Sequence, residues 1–117
     1  MYRYNAKVIR VYDGDTIWVD IDLGFGVWMK NQSIRLKGIN TPEVRGSEKI
    51  KGRVSRDRLI ELLESAERDS SVTIQTTKTK QRGKYGRILG EIFIENEERS
   101  LNQILLDEGL AVEYMKD

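Results

Sequence analysis

Between Ala6 and Leu36, apolar and polar residues alternate in three runs separated by glycine-containing turns. Period-two alternation is the pattern of a half-buried strand, whose successive side chains leave on opposite faces. Ala6–Tyr12 therefore reads as a first strand. Thr16–Leu23 reads as a second, with Ile17, Val19, Ile21 and Leu23 on one face and Trp18, Asp20 and Asp22 on the other. Between them Asp13-Gly14 is a two-residue hairpin signal, because both residues tolerate positive φ at low cost. Gly24-Phe25-Gly26 turns the chain again, and Val27–Leu36 reads as a third strand. Lys37–Pro42 reads as a loop, since Pro42 disfavours helix at the residue before it.

From Ser47 to Ala66 the period lengthens. Val54, Leu59, Leu62, Leu63 and Ala66 mark one helical stripe among charged residues. Ser71–Thr77 and Arg87–Ile94 then read as a fourth and a fifth strand joined by a polar, basic loop. Ser100-Leu101-Asn102-Gln103 is a capping-box pattern, in which Ser100 accepts from a free helix N–H and Gln103 reaches back. That second helix carries Leu101, Ile104 and Leu105 on one side and ends at Gly109, a good left-handed cap. The expected architecture is α+β, mainly β. It is a five-stranded OB-fold barrel with one helix between strands 3 and 4 and a second helix near the C-terminus, a single domain over residues 1–117. Such barrels serve many purposes, so function has to be argued from particular residues.

Composition narrows the chemistry. The 117 residues contain no Cys and no His. This excludes a disulfide framework, thiolate chemistry, His-ligated zinc and the commonest general base. Catalysis is left to carboxylates, Arg, Lys, Tyr or a hard cation held by oxygen. The formal charge of +1 conceals an asymmetry: net +1 over residues 1–44, +6 over 45–90 and −6 over 91–117. The basic middle attracts a polyanion or is simply a solvated helix face with a Lys-rich loop; charge alone does not separate the two. No membrane span is expected. The pattern enters its first strand directly from Met1, so no leader is expected and an intracellular location is the default.

Three short segments concentrate unusual polar residues: Asp13-Gly14-Asp15-Thr16, the run from Arg35 to Glu43 that includes Asn40-Thr41-Pro42, and Gly83-Lys84-Tyr85-Gly86-Arg87. Singly, each has an ordinary reading as a turn, a loop before a helix, and a flexible hairpin. Together and in this order, from about Lys7 to Tyr114, they resemble the staphylococcal nuclease (thermonuclease) family. The resemblance implies a Ca2+-dependent phosphodiesterase that cleaves DNA, and RNA as a further substrate, with little sequence preference and leaves 3′-phosphate ends. It implies Asp15, Asn40 and Thr41 as the metal site, Thr41 through its carbonyl. Glu43 would orient or deprotonate the attacking water, and Arg35 and Arg87 would hold the phosphate. Lys84, Tyr85 and Tyr114 would contact the nucleotide. The chemistry suits these types: calcium prefers six to eight oxygens, and a guanidinium forks two N–H groups onto a phosphate. Tyr114 is open to a second reading as packing near the terminus. Arg35 as a surface ion pair and Arg87 as a solubilising loop charge are the corresponding ordinary readings.

Two departures from the family pattern bear on function. Asn40 stands where the family usually has Asp, which lowers the ligand charge and predicts a weaker calcium site. At the extreme it leaves a different protein: a catalytically weak OB-fold module that binds single-stranded nucleic acid or ends. The chain also reads as a compact form without the third helix usual at the C-terminus, of a size that would suit a phage-encoded protein. Losing that helix would uncover apolar surface. The apolar Phe25–Met29 stretch either is buried locally in a monomer or forms a homodimer face.

Overall fold

The computed structural model of the chain describes residues 2–65, 71–76 and 88–115. Three long strands form a meander: β1 (Tyr2–Asp13), β2 (Thr16–Gly24) and β3 (Val27–Leu36). A two-residue strand, β4 (Ile39–Asn40), precedes a 3₁₀ turn at Gly46–Glu48 and helix α1 (Lys49–Glu64). Strands β5 (Ser71–Thr76) and β6 (Ile88–Phe93), helix α2 (Leu101–Asp107) and strand β7 (Val112–Glu113) follow. The barrel closes in the order β1-β2-β3-β6-β5, with β5 returning to β1. Only the β3–β6 pairing in it is parallel. This is the mainly-β OB-type architecture that the hydrophobic pattern predicts.

The inward positions follow the alternation. Ile17, Val19, Ile21, Ile34, Leu36, Ile74 and Ile92 are buried, and Leu59, Leu62 and Leu63 of α1 and Leu101, Ile104 and Leu105 of α2 join the same cluster. Leu23 is the exception on its face: it lies at the open end of the β2–β3 hairpin and is exposed. The first strand also runs further in both directions than its apolar stretch, because Tyr2–Lys7 pairs with β5 and Asp13 pairs with Thr16. Asp13 therefore belongs to the strand, and the turn residues are Gly14 and Asp15, one position later than the Asp-Gly signal indicates. Gly14 is not in the left-handed region. Space is what it supplies: a Cβ there would stand 2.8 Å from Thr41 Cγ2 and 2.9 Å from Ser55 Cβ.

Helix α1 corrects the expected stripe in its first half. Its buried residues are Gly52, Ser55, Leu59, Leu62 and Leu63, while Val54 is 51% exposed. The inward positions there are small because the helix lies against backbone: a Cβ on Gly52 would collide with the Glu43 carbonyl and stand 2.8 Å from Pro42 O. Ser55 is buried too, and its hydroxyl donates to Leu110 O at 2.7 Å. Ala66, the last residue of the expected stripe, lies outside the described residues, as does Thr77 at the end of the fourth expected strand.

Helix α2 starts as its sequence predicts, with Ser100 Oγ accepting from Gln103 N at 3.0 Å. The reciprocal half of the capping box is not made: the Gln103 amide donates instead to Asp107 Oδ1, one turn ahead. The helix ends in a Schellman arrangement, with Gly109 N on Leu106 O and Leu110 N on Leu105 O, and Gly109 at φ 73°. Between these ends Asn102 is 4% exposed and ties three elements together. Its Oδ1 accepts from Ile92 N, and its Nδ2 donates to Lys37 O and Gly90 O.

The Lys37–Pro42 segment, expected as a loop, contains β4, which pairs Ile39 with Glu113 and Asn40 with Val112. At the far end of the barrel the β2–β3 tip is not buried locally: Phe25 is fully exposed, and Val27 and Trp28 are 53% and 43% exposed.

Candidate functional site

Two turns and one short strand bring the site together. The β1–β2 turn carries Asp15, β3 carries Arg35 one residue before its end, and the segment beyond β4 carries Thr41 and Glu43. Thr16 and Arg35 are direct cross-strand partners. Arg35 is therefore anchored beside the turn by the β2–β3 ladder.

Asp15 is 6% exposed and organises the cluster. Its Oδ2 accepts from Thr41 N at 2.9 Å and pairs with Arg35 Nη1 at 3.2 Å. Its Oδ1 accepts from Thr16 Oγ1 at 3.1 Å. Arg35, 7% exposed, also donates through Nη2 to Ile39 O and to Asn40 Oδ1, both at 3.0 Å. The ordinary reading of Arg35 as a surface ion pair is thereby overturned: the pair is buried, and its desolvation is offset by several directed hydrogen bonds. Tyr114 lies over the same guanidinium, with Cζ 5.2 Å from the ring centroid. The Tyr114 N–H donates to Gly38 O at 2.8 Å, just beyond the β4–β7 pairing, so the C-terminal segment is fixed against the site by backbone. The ring of Tyr114 both packs on Arg35 and lines the cleft.

The cleft has a volume of about 630 Å³, and its lining includes Asp13, Asp15, Arg35, Asn40, Glu43 and Tyr114. Glu43 is exposed and makes no hydrogen bond to the described residues, which leaves its carboxylate open to solvent in the cleft. Burial, and then the neighbouring Asp15, push the Asp13 carboxyl up to about 7, with the Glu43 charge adding in the same direction. Asp13 lies in a segment singled out from sequence but was assigned no role in the site. Its signal was there, in the Asp-x-Asp spacing across a tight turn that sets two carboxylates side by side.

The donor set fits a hard cation. Every candidate ligand is oxygen, two buried carboxylates stand together, and Thr41 Oγ1 is buried without a hydrogen-bond partner among the described residues. The fit is to a site of low charge. Among the described residues no three carboxylates converge on one point, and the Asn40 amide oxygen is engaged by Arg35. Of the expected site residues, the structure brings Asp15, Arg35, Asn40, Thr41, Glu43 and Tyr114 together. Lys84, Tyr85 and Arg87 lie outside the described residues.

The cleft wall also contains Arg10, Tyr12, Trp18 and Ser33, which sequence reasoning left unassigned. The turn alone does not reveal them: an unbroken register from Asp13↔Thr16 would pair Trp18 with Val11, and the irregularity between Val11 and Asp13 makes Arg10, Trp18 and Ser33 successive cross-strand partners instead.

An OB-type barrel whose β1–β2 turn, third strand and following loop converge in a buried carboxylate–arginine cluster defines a class of site suited to a phosphate and a hard cation. The comparison with known families agrees with that class. The chain belongs to the staphylococcal nuclease homologue family, whose model matches residues 33–117, the part that includes Arg35, Asn40, Thr41, Glu43 and Tyr114. It is similar to a thermonuclease of Staphylococcus hyicus, 34% identical over 108 residues, an alignment that covers 90% of this chain and 56% of the relative. It is also similar to an uncharacterized protein of Methanocaldococcus jannaschii, 26% identical over 133 residues, covering 98% of this chain and 61% of the relative. The chain thus spans little more than half the length of the curated relatives it matches. Among the described residues, no helix is long and apolar enough to cross a membrane.

Proposed function

We propose that the chain is a calcium-dependent nuclease hydrolysing phosphodiester bonds of DNA, and of RNA where it meets it, with little sequence preference. The observation that carries this reading is the convergence of Asp15, Arg35 and Glu43 on one open cleft beside Thr41. Family membership supports it.

In this reading Asp15 and Thr41 would hold the cation, with Asn40 as a neutral third ligand. When bound, calcium lowers the pKa of a neighbouring water and offsets phosphate charge. Arg35 holds a permanent positive charge at the cleft floor, against which the scissile phosphate seats. It favours the transition state to the extent that the phosphorus oxygens gain charge there. Arg87 is assigned the second phosphate contact by the family resemblance, and Lys84 and Tyr85 contact the nucleotide on the same ground. Glu43, exposed and beside the cluster, takes the proton from the attacking water. As the water oxygen bonds to phosphorus the bond to the 5′ oxygen breaks. That oxygen leaves as a hydroxyl with a proton from solvent, so the other end keeps a 3′-phosphate. Tyr114 offers a ring beside the phosphate.

The test is single-stranded DNA incubated with the protein in calcium or in chelator, beside Glu43→Ala. Calcium-dependent cleavage by the native chain and its loss in the variant are the expected results; no calcium-dependent cleavage by the native chain refutes the proposal. One observation favours the alternative of a catalytically weak OB-fold module that binds single strands or ends: Asn40 is neutral and bonded to Arg35. That module would bind DNA equally well in chelator and release no product.

A further inference from the structure

The cleft extends well beyond the carboxylate–arginine cluster, along the outer face of β1, β2 and β3. There Trp18 is half-buried, with the Arg10 guanidinium 5.1 Å from the centre of its ring. Arg10 is its cross-strand partner on β1, and Ser33 is its partner on β3. Ser33 is small and lines the cavity, so the indole has a cation over its ring and open cleft on the β3 side. Tyr12, 41% exposed, and Tyr114 add two further rings to the same wall.

Register fixes the distance from this shelf to the cluster. Arg35 is the partner of Thr16, and Trp18 lies two residues further along β2 on the same face. Diagonal neighbours of that kind are about 7–8 Å apart. A phosphate over Arg35 therefore places the adjoining nucleotide against Trp18. Three aromatic rings, an exposed arginine and a small floor residue make a poor core and a good stacking platform, because every base has a π-face and every linkage a negative charge.

We propose that Trp18 and Arg10 form a nucleobase subsite one nucleotide from the scissile phosphate, Trp18 stacking the base and Arg10 holding the next phosphate. A base can lie on the indole only when it is unpaired and splayed from its neighbours. The preferred ligand is accordingly a single-stranded or locally unpaired segment, and intact duplex is disfavoured. The proposal rests on the reading of the cleft as a nucleic-acid site and does not need the chain to cleave.

The test exploits the count of two Trp residues. Trp28→Phe, on the exposed hairpin away from the cleft, leaves Trp18 as the sole indole. In chelator, with excitation selective for Trp, this variant is titrated with oligothymidylate and with an abasic oligomer of equal length. Saturable quenching by thymidylate but not by the abasic strand is the expected result. By anisotropy of labelled oligomers, Trp18→Ala should weaken thymidylate binding by about 5- to 150-fold and leave abasic binding unchanged. Trp18→Phe, which keeps a ring, should recover most of the loss. Equal quenching by both oligomers, no quenching by either, or native affinity in Trp18→Ala each overturns the subsite. Failure of the nuclease reading looks different: Trp18 would be quenched by thymidylate while no calcium-dependent product formed.

Discussion

Gly52 lies inside α1, where residue preference alone argues for replacing it. Gly→Ala in a helix interior ordinarily gains about 1 kcal/mol, through the greater chain entropy glycine brings to the unfolded state. The structure reverses the sign. The added methyl would collide with the Glu43 carbonyl and stand 2.8 Å from Pro42 O, both backbone atoms that no rotamer change can move. Overpacking of this kind costs about 1–3 kcal/mol. Relief by moving the Thr41–Glu43 segment would strain the 2.9 Å bond from Thr41 N to Asp15, which holds the carboxylate cluster. Net of the helix gain, Gly52→Ala should destabilise the chain by up to about 2 kcal/mol and lower Tm by up to about 12 °C. Urea and thermal unfolding followed by Trp fluorescence measure this. Val54→Ala is the control on the same helix: Val54 is 51% exposed, so the change should be neutral or slightly stabilising, whereas a core valine would lose stability. A more stable Gly52→Ala protein would refute the close approach of α1 to the Glu43 segment. A large loss in Val54→Ala would refute the orientation of the helix.

Other perturbations probe the ties around the site. Asn102→Ala strands Ile92 N–H and the Lys37 carbonyl, while Gly90 O keeps its bond from Lys37 N, and should cost about 2–4 kcal/mol in urea unfolding; a loss comparable with that of a surface site would contradict these bonds. Asp13 is raised to about 7, so between the unfolded and folded pKa values the native chain holds a proton that the unfolded chain has released. In chelator, stability should therefore fall by about 2–4 kcal/mol from pH 4 to pH 8, and Asp13→Asn should flatten that part of the profile; an unchanged slope argues against burial of the charge. Asn40→Asp adds a charged ligand beside Asp15 and should lower the calcium concentration for half-maximal activity, and an unmoved half-saturation point removes Asn40 from the metal site. Ser100→Ala should cost about 1 kcal/mol through loss of the bond to Gln103 N, checked by the shift in the unfolding midpoint.

What could be read from sequence, and what could not, follows from the range of each interaction. Ile17, Val19, Ile21 and Ile34 were legible because strand burial is written in a period of two, and Ser100 and Gly109 because caps are local chemistry. Val54 was misplaced because a helix packed on backbone inverts the usual rule: Gly52 and Ser55 are inside because they are small, and the branched residue faces water. Gln103 was misassigned for a related reason, since Asp107 one turn ahead competes for the same amide. The candidate site shows the same division. Asp15, Arg35 and Glu43 were recognisable as motif residues, but the bond joining Asp15 to Thr41 spans 26 positions and is invisible to any local pattern. Tyr114 is the sharper case, because no spacing rule connects it to Arg35. The β4–β7 pairing brings them together, and those two-residue strands carry too little alternation to be read. The polar residues that make the cleft depend on such short pairings for their positions. A change in the backbone of Ile39–Asn40 or Val112–Glu113 should therefore disturb the cleft before it disturbs the barrel.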